Sequence, residues 1–280
     1  MAIQLVTKYL PYVDEVFTQE SKKSLITNQD FSFDGADTVK IYKVSTSEMN
    51  DYGRRGATGG NWSRYGAIKD LDETVETMTI KNDRSFTFVI DTLDKDETAK
   101  TLEAASALAR QIREVVIPEV DNFIYCVMTT KAGTKAAAVA LTKTNIYEKI
   151  LDASKTLDDA LVPETGRVLI VTPDVYRIMK QNSEIVLDTE VGEDMRIKGV
   201  IGNLDGATVI KVPESRLPAH FGFMLCHPCA TVCPEKLASY ITHTNPPGIN
   251  GELVEGRIVY DAFVLENKAK AIYYQALPEA

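Results

Sequence analysis

The sequence contains few of the residues on which many catalytic and metal sites depend. It has only four cysteines, three histidines and one tryptophan in 280 residues. A disulfide framework needs a higher density of cysteine, so we expect synthesis in a reducing cytosol. The first residues, MAIQLVTKYLPYVDEVF, lack the apolar core of a signal peptide. No run reaches the roughly 20 apolar residues of a membrane span, so no membrane partner is expected.

Recognisable catalytic motifs are also missing. The sequence has no GxxxxGK[ST], GxGxxG, HExxH or GxSxG pattern. The acidic stretches DLDETVE and DTLDKDE lack the spacing of a calcium loop. A net charge of −9 argues against tight binding of nucleic acid through the overall field of the protein. These absences predict a protein that is not an enzyme and carries no cofactor.

One stretch, CHPCATVC at residues 226–233, is a candidate for metal chemistry. Zinc sites commonly combine two ligand pairs, whereas here Cys226 and Cys229 have only Cys233 nearby. In an extended strand, Cys226 and His227 would point to opposite faces. Buried small side chains are therefore the favoured interpretation. A Cys/His metal-dependent enzyme is the less favoured alternative. Likewise, Arg216 in VPESRLP is interpreted as a solvated loop residue rather than an anion clamp.

The first half of the chain combines a glycine-rich loop, strands and a long helix. Residues 53–66, GRRGATGGNWSRYG, indicate an exposed loop. Alternating residues at 74–80 and 85–91 predict two strands, joined by KNDR into a β-hairpin. Apolar residues spaced three and four apart predict one long helix over 97–129, kinked at Pro118.

The second half alternates short helices and strands. A helix beginning at Asn145 is predicted to direct Ile146, Ile150, Leu157 and Leu161 inward. A buried strand at 168–171 leads into a helix that begins at Thr172-Pro173. Residues 182–206 indicate a loop. Strands are predicted at 208–212, 221–225, 257–265 and 269–275. This order gives an α+β fold without regular βαβ alternation.

Several phrases of the sequence resemble one viral protein family. They are FTFVIDTLDKDET, IYEKILDASKTLDDALVPETGRVLIVTPDVYRIMK, VIKVPESRLP and GRIVYDAFVLENKAKAIYY. In this order, over most of residues 30–275, the chain resembles a Hong Kong 97-type major capsid protein of tailed bacteriophages. The resemblance implies an N-arm (1–52), an extended β-hairpin called the E-loop (53–93), a peripheral domain with a long spine helix (94–144 plus 225–280) and an α/β axial domain (145–224).

The same resemblance implies a structural protein that assembles into hexamers and pentamers. These would form an icosahedral head around double-stranded DNA in the bacterial host cytoplasm, with a scaffolding protein and a portal as partners. An encapsulin-like nanocompartment shell is the close alternative. The implied inter-subunit contacts of the E-loop are Arg54, Arg55, Trp62, Arg64, Tyr65 and Lys69. The implied contacts of the axial loop, near the symmetry centres, are Glu190, Glu193, Arg196 and Lys198.

Overall fold

A computed structural model describes residues 21–28, 38–56, 63–67, 69–93, 103–182, 184–185 and 200–279. The described part of the chain is a mixture of helices and strands, as predicted. The helices are α1 (Lys23–Ile26), α2 (Ala104–Gln111), α3 (Ile117–Lys131), α4 (Ile146–Asp159) and α5 (Pro173–Gln181). The strands are β1 (Thr38–Val44), β2 (Glu73–Thr79), β3 (Asn82–Asp91), β4 (Thr134–Ala136), β5 (Val168–Val171), β6 (Val200–Leu204), β7 (Ala207–Lys211), β8 (Phe221–Cys226), β9 (Thr231–Val232), β10 (Glu235–Thr244), β11 (Gly251–Tyr260), β12 (Phe263–Val264) and β13 (Ile272–Ala276).

The chain divides into two compact units. One is Phe33–Ile80, and the other combines Met1–Ser32 with Lys81–Ala280. In the first unit, which we call the arm, β1 pairs antiparallel with β2 over seven residues. The second unit, which we call the body, contains the remaining strands and all five helices.

The predicted hairpin between residues 74–80 and 85–91 is wrong. The two strands exist, but β2 pairs with β1, and β3 pairs with β11. Side chains across each ladder fit this pairing. Lys43 reaches Glu76 at 2.9 Å between β1 and β2. Arg257 on β11 forms a two-pronged ion pair with Asp83 on β3. Ile80 and Lys81 therefore connect two different sheets, and the rest of KNDR is the start of β3, because non-local partners outcompete the neighbouring strand.

The β10-β11-β3 sheet packs against the start of the long helix. Strands β10, β11 and β3 each have ten residues, and β11 lies in the centre. Ile90 and Val254 from this sheet form a small buried cluster with Ala104 of α2. The ring of Phe86 lies directly over Gly256, where an added Cβ would be 2.3 Å from the ring. Glycine at this position therefore allows the aromatic ring to cover the centre of the sheet.

The long helix is continuous from Ala104 to Lys131 and spans about 40 Å at about 1.5 Å per residue. The predicted residues 97–102 lie outside the described residues. A π-helical turn, Ile112–Val116, occurs just before Pro118, where a kink was predicted. The N–H of Ile117 donates to the carbonyl of Ile112, five residues earlier. Proline lacks an N–H and crowds the preceding turn, and the wider π turn relieves that crowding while the helix continues.

The main core lies around a six-stranded mixed sheet with the order β4-β13-β8-β5-β7-β6. Every side chain of β5 and β8 is buried. Helix α4 packs on β8 and β13. The predicted start of α5 is confirmed, since the Thr172 hydroxyl accepts the N–H of Val175 at 3.2 Å and Pro173 opens the helix.

Two predictions about the middle of the chain are corrected. Leu161 does not face inward, because α4 has already ended and this side chain is 89% exposed. Residues 200–204, expected to be loop, form β6, which pairs with β7 across the turn Asp205-Gly206. Both turn residues have positive φ, as tight hairpin turns require.

Replacing Leu161 with glycine is expected to stabilise the protein. Leu161 has φ of 58° and follows a helix end at which the N–H of Val162 donates to Leu157 and that of Leu161 donates to Asp158. Glycine is preferred at this position, so Leu161→Gly should raise the free energy of unfolding by about 1 kcal/mol. Urea denaturation measures the change. Leu157→Ala, at a fully buried site, should instead cost about 2–5 kcal/mol. A loss of stability in Leu161→Gly would contradict the assignment.

Candidate assembly surfaces

The arm exposes an apolar face. On β1, every second side chain from Thr38 to Val44 is exposed, and these residues pair with the exposed residues of β2. Tyr42 lies directly opposite Val75 in this ladder. Tyr42 is 65% exposed, Val44 62% and Val75 47%. Because a two-stranded ladder has no second layer to cover such side chains, this face is suited to contact another protein surface.

The arm has a closed end that displays positive charge. The N–H of Gly53 donates to the carbonyl of Arg64 at 2.8 Å, and the rings of Tyr52 and Tyr65 meet edge to face at 5.0 Å. Arg54, Arg55, Arg64 and Tyr65, all predicted contact residues, are exposed here. Residues 52–55 and 63–65, which lie close together in the sequence, thus place three guanidinium groups and an aromatic ring at one end of the arm.

The structure does not bring all predicted contact residues together. Lys69 is exposed, and its ammonium group lies 3.6 Å from the carboxylate of Glu48. Trp62 lies outside the described residues. So do all four predicted axial-loop residues, Glu190, Glu193, Arg196 and Lys198.

The CHPCATVC stretch is tied into the body by hydrogen bonds and burial. The Nδ1 atom of His227 accepts the N–H of Cys229 at 3.2 Å, and its Nε2 atom donates to the carbonyl of Thr165 at 3.1 Å. Both ring nitrogens are therefore engaged by the backbone. Cys226 ends β8 in the core, where burial, with a smaller effect of Cys229, raises its pKa to about 12. This arrangement favours the structural interpretation of the cysteines.

Arg216 was predicted to be a solvated loop residue, and this is wrong. Its side chain is buried, and its Nη1 atom donates to Oδ2 of Asp121 on α3 at 2.8 Å. This pair was not predicted, because its members lie 95 residues apart and no local pattern links them. Each buried charge is balanced by the other, as buried ions require.

Comparisons with known proteins identify the fold. No protein-family model and no curated protein sequence matches the chain. Solved structures do. A chain from Mycobacterium phage Che8 aligns with a TM-score of 0.75 at 20% identity, covering 98% of this chain and 96% of that one. The capsid of cyanophage P-SCSP1u gives 0.74 at 13% identity, covering 98% and 93%. The mature capsid of bacteriophage PhiM1 gives 0.72 at 12% identity, covering 100% and 93%.

The chain therefore has the fold of phage capsid proteins, which confirms the resemblance predicted from the sequence. A virus-like particle from Pyrococcus furiosus also aligns, with a TM-score of 0.51 at 10% identity and 86% coverage of each chain. In the part of the chain that the structure describes, no helix is both long and apolar enough to cross a bilayer.

The environment of the cysteines predicts a defined order of thiol reactivity. Only the thiolate reacts with alkylating reagents, and a pKa of about 12 leaves Cys226 almost fully protonated at pH 8. Cys229 is only half-buried, so it should be alkylated first in the folded protein. Iodoacetamide labelling followed by peptide mass spectrometry measures both rates, and both thiols should react alike in 8 M urea, which serves as the control. Equal rates in the folded protein would show that Cys226 is not enclosed.

Proposed function

We propose that this chain is the major capsid protein of a tailed bacteriophage, with the Hong Kong 97-type arrangement. It assembles as hexamers and pentamers into an icosahedral head that encloses double-stranded DNA. The observation that carries the proposal is the match to phage capsid structures over almost the full length of both chains. The match includes the arm as well as the body, so the likeness is not limited to a common core.

The arm carries residues 53–80 of the proposed E-loop (53–93), and it lies over a neighbouring subunit. Its apolar face around Tyr42 and Val75 needs a partner surface, and its arginine-bearing end adds charge that an acidic subunit can meet. The β1 strand, in the region assigned to the N-arm, is part of this ladder. Many weak contacts of this kind add up in a closed shell, because each subunit is held at several places at once.

The remaining assignments follow the same proposal. The long helix is the spine of the peripheral domain (94–144 plus 225–280), and residues 145–224 form the axial domain. Glu190, Glu193, Arg196 and Lys198, the predicted contacts of the axial loop, lie near the five-fold and six-fold centres in this proposal. The net charge of −9 suits a container that holds DNA loosely. A scaffolding protein and a portal assist assembly in the host cytoplasm.

An encapsulin-like compartment is the second candidate, because the virus-like particle from Pyrococcus furiosus shares the fold. The contents of purified particles discriminate between the two candidates, because packaged DNA identifies a phage head and an enclosed enzyme identifies a compartment. Portal and terminase genes beside the gene for this chain would also identify a phage head.

Purified full-length chain is expected to form shells. Expression in bacteria, alone and with the scaffolding protein encoded beside it, followed by negative-stain microscopy, is the direct test. Closed particles with visible capsomers are the expected result. A monodisperse monomer under every salt and scaffold condition would contradict the proposal.

A single polar replacement on the arm should weaken assembly without unfolding the chain. Val75→Thr keeps a β-branched residue in the strand but places a hydroxyl in the proposed contact. We expect about a tenfold rise in the concentration needed for half-assembly, equivalent to about 1.4 kcal/mol per contact. Light scattering against protein concentration measures this.

Ile241→Thr is the matched control, because Ile241 is 49% exposed on β10 of the body, outside the proposed E-loop, and Val75 is 47% exposed on the arm. It should leave the assembly curve close to that of the unaltered protein. An equal shift in both variants would show that the effect does not come from the arm.

A further inference from the structure

Residues 21–28 are bound to the body by several independent contacts, and we call this segment the strap. Ile26, in the single turn of α1, is 1% exposed and belongs to the main core. Asn28 bridges to Val232 on β9, and its N–H donates to the carbonyl of Thr231 at 2.7 Å. Lys23 forms an ion pair with Glu235 at the start of β10.

The beginning of the strap is held by a buried carboxylate on the long helix. The hydroxyl of Ser21 donates to Oδ1 of Asp121 at 2.5 Å, while Arg216 donates to Oδ2. Asp121 is 2% exposed. Burial raises the pKa of Asp121, and the bonds from Ser21 and Arg216 oppose that rise. One carboxylate therefore joins the strap, the long helix and the turn after β7.

The strap also lies beside the π turn of the same helix. A cavity of about 240 Å³ is lined by Ser21 and Lys23 from the strap and by Ile112 and Val116 from the π turn. A second cavity, of about 190 Å³, lies between the π turn and strands β3 and β11 and is lined by Val115, Phe86 and Ile258, among others. Close packing normally prevents a helix from changing its register, and here part of that packing is missing on two sides.

We propose that the strap is a releasable clamp on the long helix. While Asp121 holds Ser21, the strap closes one side of the space around Ile112–Val116 and fixes the π turn. When the strap leaves, the π turn is able to rearrange, because unfilled space already adjoins it. π turns inside α-helices are rare and occur frequently at functional sites. The clamp goes beyond the proposed function and operates in a single chain.

A strap that clamps the helix and a strap that only covers the core predict different results when the strap is loosened. If the strap only covers the core, loosening it exposes the strap alone. If it clamps the helix, loosening it also frees the π turn, although Ser21 and Ile112 are 91 residues apart in the sequence. Ser21→Ala is the mildest test, since it removes the bond to Asp121 and the one that the hydroxyl accepts from the N–H of Lys23, and it keeps the Asp121–Arg216 pair.

Hydrogen exchange of the full-length chain, read by mass spectrometry, tests the clamp. In Ser21→Ala we expect about tenfold faster exchange in residues 21–28 and also in residues 112–118, with α4 unchanged. Ser106→Ala is the matched control, because the hydroxyl of this exposed serine on α2 donates to the carbonyl of Glu103, three residues earlier at the start of the same helix. It should leave exchange at both places unchanged.

Thiol labelling gives a second measurement on the same variants. Cys233 follows the bridged residue Val232; burial raises the pKa of its thiol, and the charge of Lys23 in the strap opposes that rise. Release of the strap weakens both effects, of which burial is the larger. Release of the strap should speed the alkylation of Cys233 but not of Cys226. Faster exchange in the strap without any change in residues 112–118 would overturn the clamp. A uniform increase in all segments, or no change in the strap, would also overturn it.

Discussion

A two-stranded ladder cannot bury both of its faces, and this constraint governs what the arm can do. β1 and β2 satisfy one another's backbone groups, but the ladder leaves Tyr42, Val44 and Val75 largely in solvent. An isolated pair of strands is only marginally stable in water. A neighbouring subunit that covers this face would stabilise the arm and join two subunits by the same contact. In the proposed shell, one burial would thus both complete the folding of the arm and hold two subunits together.

The body has a different character, because its main core is built from residues of one chain. Helix α4 packs on β8 and β13 of the six-stranded sheet, and the buried ion pair of Asp121 with Arg216 is balanced within the body. The CHPCATVC stretch is tied to this core, with His227 as a backbone anchor. A body with its own core and an arm with an uncovered face are suited to different roles in an assembling subunit.

Signals within short stretches of sequence predicted most helices and strands correctly. Most errors come from contacts between residues that lie far apart in the chain. Thr172-Pro173 marks a helix start by chemistry contained in three residues, so its prediction was correct. Pairing of β2 and β3 depended on strands far away in the sequence, and the burial of Arg216 depended on Asp121 on another helix. Asp205-Gly206 was a local signal for the β6–β7 hairpin that the glycine-rich surroundings obscured. Leu161 continued the helical spacing past the point where the helix ends.

The most direct measurement of the central claim is the exposure of the arm before and after assembly. Hydroxyl-radical footprinting of Tyr42 in free subunits and in purified particles reports this exposure residue by residue. The account predicts strong modification of Tyr42 in the free subunit and protection in the particle, with Tyr125 of the core unmodified in both. Particles that form while Tyr42 stays as reactive as in the free subunit would contradict the claim that the arm holds the shell together.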